Sequence, residues 1–214
     1  MLPAHNSRKA WRLAALGCGT LSVWVVAGSP LAGLDHQILT AHMAQHLLLM
    51  MVAAPLILLG APGIRPRIPP VFCWLASTAV VIGWHIPLLF ELGMQSKSWH
   101  AVEQASFFAA GLLFWWPVIG REPQWSIPLY LFLATLPCDA LSAFLTFCGR
   151  VVYPHYQHGP RLIDLSPLGD QELAGALMWV VVTFAYLAPA AAITIELLSP
   201  SRARAGPASA EPAR

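Results

Sequence analysis

Six apolar stretches, each close to the roughly 20 residues that a helix needs to cross a hydrocarbon core about 30 Å thick, constrain this chain more than any other feature. They cover about 11–28, 39–60, 71–90, 99–119, 127–147 and 173–197. Runs of this length without period-two alternation read as helices and not as barrel strands. Turn-forming residues separate them: Ser29-Pro30, Gly60-Ala61-Pro62-Gly63, Pro69-Pro70, Arg121-Glu122-Pro123 and Ser166-Pro167-Leu168-Gly169. Of the 214 residues 57% are hydrophobic and 10% charged, whereas a soluble domain carries about a quarter charged. A soluble globular fold is therefore excluded. The expected fold is all-α: a polytopic transmembrane helix bundle of about six helices, with residues 11–198 as its single domain, a short cytoplasmic tail at 1–10 and a disordered cytoplasmic tail at 199–214. The first stretch follows Arg8, Lys9 and Arg12 and ends in small residues, as a signal peptide does. A retained helix is expected instead, because cleavage would start the next helix almost at the new terminus.

Orientation follows from the basic residues, which stay on the cytoplasmic side. With both termini inside, nine of the 12 Lys and Arg residues are cytoplasmic, and only Lys97, Arg150 and Arg161 are outside. The same topology sorts the 8 histidines. His36, His42, His46, His85, His100, His155 and His158 fall in the outer half, leaving His5 in the cytoplasmic tail. The acids Asp35, Glu91, Glu103, Asp139, Asp164, Asp170 and Glu172 fall there too.

On the second helix, His42 and His46 lie about 40° apart, and Met43 and Met50 fall within the same arc. Imidazole suits several transition metals, whereas thioether favours Cu(I). Taken alone, Met43, Met50 and Met51 read as packing or lipid-facing residues. The histidine pair reads differently, since ionisable groups at membrane depth are costly and face a bundle interior or a pathway. His85 precedes Pro87, which bends or ends the third helix; His100 opens the fourth, with Gln104 one turn below it. Either alone is an ordinary polar residue at a helix end. Together His42, His46, His85 and His100 place four imidazoles on three helices at one level, a candidate metal site.

Cys18, Cys73, Cys138 and Cys148 have no CxxC spacing, so neither a disulfide framework nor a zinc ribbon is expected. Asp139 follows Pro137-Cys138 and reads either as a proton or metal site or as the partner of a neighbouring helix. Asp170 begins the last helix, where the macrodipole favours an acid, and it is also placed to orient an imidazole. No nucleophile motif or phosphate-binding loop is present, so the protein is not expected to be an enzyme, nor to bind nucleic acid.

His42-Met43-Ala44-Gln45-His46-Leu47-Leu48-Leu49-Met50, then Ala54-Pro55-Leu56 and Leu59-Gly60-Ala61-Pro62, resembles the signature of the CtaG family of cytochrome c oxidase assembly factors, membrane proteins associated with caa-type oxidases. The likeness continues through Trp84-His85-Ile86-Pro87, His100, Phe114-Trp115-Trp116-Pro117 and Tyr153-Pro154 with Tyr156 to Asp170-Gln171, Gly175 and Trp179. It implies an assembly factor of the bacterial inner membrane that helps deliver copper to, or insert it into, a heme-copper oxidase from the periplasmic side. The implied partners are an oxidase subunit and periplasmic copper chaperones, besides the lipid bilayer. His42, His46, His85 and His100 match the family's recurrent histidines. At Gln104 the chain departs from members that carry a second histidine there, which leaves Gln104 to orient His100. Copper is the expected cargo, with Met43 favouring its reduced state. Two alternatives use the same cluster: axial heme ligation by His42 or His46 opposite His100, and a metalloenzyme or transporter holding zinc or conducting past Asp139.

Overall fold

The computed structural model describes residues 4–61, 63, 67–119, 124–157 and 164–199. Arg65, Arg121, His158, Arg161 and the 200–214 part of the expected tail lie outside the described residues, as does the His5 side chain. Helix α1 is Ala4–Gly28, α2 Leu39–Leu47, α3 Ala54–Gly60, α4 Pro70–His85, α5 Pro87–Gln95, α6 Lys97–Trp115, α7 Ser126–Phe147 and α8 Pro167–Leu198. No strand occurs among the described residues. The fold is an all-α polytopic bundle.

Helices α2 and α3 form one rod, joined through a π-helical stretch at Leu48–Ala53. Pro55 explains the irregularity. It has no N–H to donate and its ring collides with the carbonyl four residues back, so the ladder widens ahead of it and the Ala54 N–H reaches Leu49 O, five residues away. The Met50 carbonyl thereby loses its helical donor, and the Trp115 indole N–H takes the place at 3.0 Å. Helix α6 comes this close because Gly111 faces the π-helical stretch: a Cβ there would sit 2.9 Å from Met50 Cα.

The third expected helix is two helices. Ile86 is extended at φ −67°, ψ 125°, as steric pressure from a following proline dictates, and α5 turns 76° from α4. Helix α6 begins at Lys97, with the Ser96 hydroxyl accepting from Trp99 N at 3.3 Å, and ends at Trp115 ahead of Pro117 instead of running to 119. Helix α8 starts at Pro167, six residues before the hydrophobic run, because Ser166 caps it by accepting from Gly169 N at 2.9 Å.

Among the described residues four helices, Ser7–Gly28, Leu39–Gly60, Ser126–Phe147 and Pro167–Leu198, are long and apolar enough to cross a membrane, and the bent pair α4–α5 makes a fifth when taken as one span. Large apolar side chains such as Val71, Leu129, Phe147 and Phe184 are outward-facing and exposed, which suits lipid and not water. Helix α6 is not among the apolar spans, since His100, Glu103, Gln104 and Ser106 lower its hydropathy. It packs against the π-helical stretch, α3, α4 and α5 and turns His100 and Glu103 inward, where both are buried.

Gly111→Ala is expected to destabilise the protein by about 1–3 kcal/mol, the usual cost of overpacking a close backbone contact, read as a lower thermal unfolding midpoint in detergent. An unchanged midpoint would mean that α6 moves away from the π-helical stretch without cost.

Candidate metal centre

The ends of α2, α5, α6 and α8 and the loops 30–36 and 152–157 meet at one end of the bundle. The residue at the N-cap of α2 is Ile38, whose side chain cannot cap it. The capping acid comes from α8: Asp170 Oδ2 accepts from Leu39 N at 2.7 Å, and its Oδ1 accepts from Thr40 N at 3.0 Å and from the Thr40 hydroxyl at 2.6 Å. Both oxygens of Asp170 are thus taken up by the helix start, so it orients no imidazole directly, in contrast to the expectation from sequence. It sets the position of α2, and His42 follows Thr40 by two residues.

Glu103 of α6 lies at the centre and is fully buried. Its Oε1 is 3.3 Å from His42 Nε2 and 3.7 Å from His46 Nε2, and its Oε2 is 3.4 Å from His100 Nδ1. Helix α5 passes the carboxylate at Gly93, where a Cβ would lie 2.7 Å from Oε2. The other nitrogen of His100, Nε2, is 2.6 Å from Oδ2 of the fully buried Asp35. Gln104 brings its amide to 2.8 Å from that same Nε2 and donates to Gln45 Oε1 at 3.0 Å. The His36 ring stands 5.1 Å from the His100 ring, and burial pushes its pKa down, which keeps a lone pair on the neutral imidazole.

Two sets of potential ligands result, each with donor atoms within 4.8 Å of one another: His42, His100 and Glu103, and Asp35, His36 and His100. His100 belongs to both. The two carboxylates, both nitrogens of His42 and of His46, and His100 Nδ1 are buried and make no hydrogen bond of good geometry. Imidazoles and carboxylates therefore meet at ion-pair distance without well-formed hydrogen bonds between them. Burying anionic groups in this way is costly unless a cation or proton compensates, and an imidazole–carboxylate donor set suits a transition-metal ion.

The loop after α7 closes this end. Tyr153 donates its hydroxyl to His85 O at 3.1 Å, His155 N donates to Glu91 Oε1 at 3.1 Å, and Tyr156 donates to Asp35 O. Burial pushes both phenols' pKa values up, so they stay protonated donors. Tyr153 also stacks on Phe90, with ring centroids 4.0 Å apart.

The four histidines expected at one level do not form one site. His42, His46 and His100 surround Glu103, whereas His85 stands further in. Its Nδ1 lies 2.7 Å from Val81 O, and with His46 and Met43 it lines a small cavity. Met43 belongs to that cavity wall. Asp139 joins neither place: it accepts from the Thr183 hydroxyl at 3.3 Å and so links α7 to α8. Sequence reasoning left out Glu103, Asp35 and His36 as ligands. The available signal was an acid three residues after His100 on the same helix face.

Glu103→Gln keeps the shape of the side chain and removes its charge. It is expected to weaken binding of Cu(II) or Zn(II) at least about tenfold, measured by equilibrium dialysis with metal analysis; unchanged affinity would remove Glu103 from the ligand set.

Residues 2–199 match the family model described as cytochrome c oxidase caa3 assembly factor. No curated protein and no solved structure matches the chain closely enough to add a relative.

Proposed function

The chain belongs to the family of cytochrome c oxidase caa3 assembly factors, and we propose that its part in assembly is to receive copper at the periplasmic face of the bacterial inner membrane and pass it to a heme-copper oxidase subunit. One observation supports this reading: His42, His100 and Glu103 hold their donor atoms within 4.8 Å of one another, and both nitrogens of His42, Nδ1 of His100 and both oxygens of Glu103 are buried without a well-formed hydrogen bond. Such a set attracts a cation and has little other use for its lone pairs.

His100 gives the site a direction. Its Nε2 faces Asp35 and its Nδ1 faces Glu103, so a cation taken up by the outer set, Asp35, His36 and His100, has the inner set, Glu103, His42 and His100, one imidazole away. Transfer between them is ligand exchange and breaks no covalent bond. The protein then acts as a carrier and not as an enzyme. A periplasmic copper chaperone is the natural donor, and an oxidase subunit the acceptor. Loop 152–157, tied to Asp35 and Glu91, is the segment that an arriving partner would have to displace.

The cavity beside these rings supports an ion over a heme. At about 30 Å³ it has room for an ion or a water molecule, and a macrocycle would have to separate α2 from α6. A zinc site uses the same donors, and metal analysis of the purified protein separates the two.

The test replaces both His42 and His46 by Ala in the producing organism and measures oxidase activity together with the copper content of the purified oxidase. Both are expected to fall severalfold while the oxidase polypeptides are still made. A fully metallated, active oxidase in that strain would refute the copper role.

A further inference from the structure

Four of the chain's six methionines, Met43, Met50, Met51 and Met178, line a small cavity beside the Glu103 cluster. His46, His85 and Cys138 complete its polarisable wall. These residues come from the α2–α3 rod, α4, α7 and α8, so the clustering is not a local run in the sequence. Methionine is a common filler of irregular apolar gaps, and sulfur alone would not distinguish a binding site from packing. The imidazoles do.

His85 Nδ1 lies 2.7 Å from the Val81 carbonyl, and a carbonyl only accepts, so Nδ1 carries the proton and Nε2 the lone pair. That Nε2 is buried without a partner. His46 is held by stacking on Phe107, with ring centroids 3.8 Å apart and planes 18° from parallel, and its nitrogens too lack a hydrogen bond. Two oriented imidazoles, His85 with an unpartnered Nε2 and His46 with only the ion-pair approach of Glu103 to its Nε2, thus border a space of about 30 Å³, enough for one dehydrated ion.

We propose that this cavity is a second metal position, specific for a soft monovalent cation of the Cu(I) class, held by thioethers of Met43, Met50 and Met178 together with His46 and His85. The wall itself holds no carboxylate, and its thioether and imidazole donors suit Cu(I). Among the described residues, the only sets of three or more His, Cys, Asp and Glu with donor atoms within 4.8 Å of one another are those at Glu103 and Asp35. An ion in the cavity therefore takes at most two of His46, His85 and Cys138 and completes its shell from methionine sulfur. His46 connects the two positions: its Nε2 is 3.7 Å from Glu103 Oε1 while the residue forms part of the cavity wall. The inference deepens the copper reading and rests on it for the identity of the ion.

The test loads the purified full chain with Cu(I), or with Ag(I) as a redox-inert probe, under reducing conditions. X-ray absorption of the Cu(I) form is expected to show sulfur in the first shell. The volume-conserving double variant Met50→Leu/Met178→Leu is expected to lose one equivalent of Cu(I) or Ag(I) while it still binds Cu(II) at Glu103, and Glu103→Gln is expected to do the reverse. A first shell of nitrogen and oxygen only in the unaltered chain, which needs no variant to fold, would overturn the proposal. So would unchanged Cu(I) stoichiometry in the methionine variant. Both readouts are made on the isolated protein, so they fail separately from the oxidase copper content that tests delivery.

Discussion

Two carboxylates, Asp35 and Glu103, are fully buried at one end of an apolar bundle, and the rest of the site is arranged around that fact. A carboxylate removed from water has lost a large hydration energy, and only a nearby opposite charge or several donated hydrogen bonds restore it. Here neither Asp35 nor Glu103 receives a well-formed hydrogen bond from a side chain; imidazoles stand at ion-pair distance instead. A proton shared with the imidazoles, or a cation, offsets that cost, and the proposed metal role rests on the same electrostatics.

The scaffold that holds these groups is built from local irregularities. Pro87 forces Ile86 into an extended conformation and turns α5 by 76°, which brings Gly93 against Glu103. Pro55 widens the α2–α3 rod into a π-helical stretch, and the Trp115 indole satisfies the carbonyl left over, which ties α6 to the rod that carries His42 and His46. Asp170 caps α2 from another helix. Each device places a backbone segment, and through it a side chain, at a position that helix packing alone would leave loose.

Hard and soft donors are separated by depth. Oxygen and imidazole nitrogen surround Glu103, and methionine sulfur with the remaining imidazole lines the cavity further in. His46 borders both. The donor type that binds best differs between oxidation states of a metal, which is the physical basis of the two-position proposal.

Much of this was legible in the sequence, because some physical constraints act on short stretches. Length and hydropathy of the apolar runs required helices, and Pro87 marked where the third one bends or ends. The spacing of His42 and His46 required that they share a face, and the excess of histidine over what an apolar chain needs pointed to a site. The grouping of donors was decided elsewhere. Glu103 and His85 are each a polar residue in an apolar helix, and nothing in either helix says which faces His42, since that depends on the 76° turn at Pro87 and on how closely α6 packs at Gly111. Asp170 looked like a ligand-orienting acid because it shares an end with the histidines; only the docking of α8 beside the uncapped start of α2 commits it to Leu39 and Thr40. By itself the sequence determined a helical membrane bundle with an imidazole-rich end. Tertiary structure decided that the end holds a carboxylate-centred cluster over a methionine-lined cavity, because distances between residues far apart in the chain are set by packing and not by spacing.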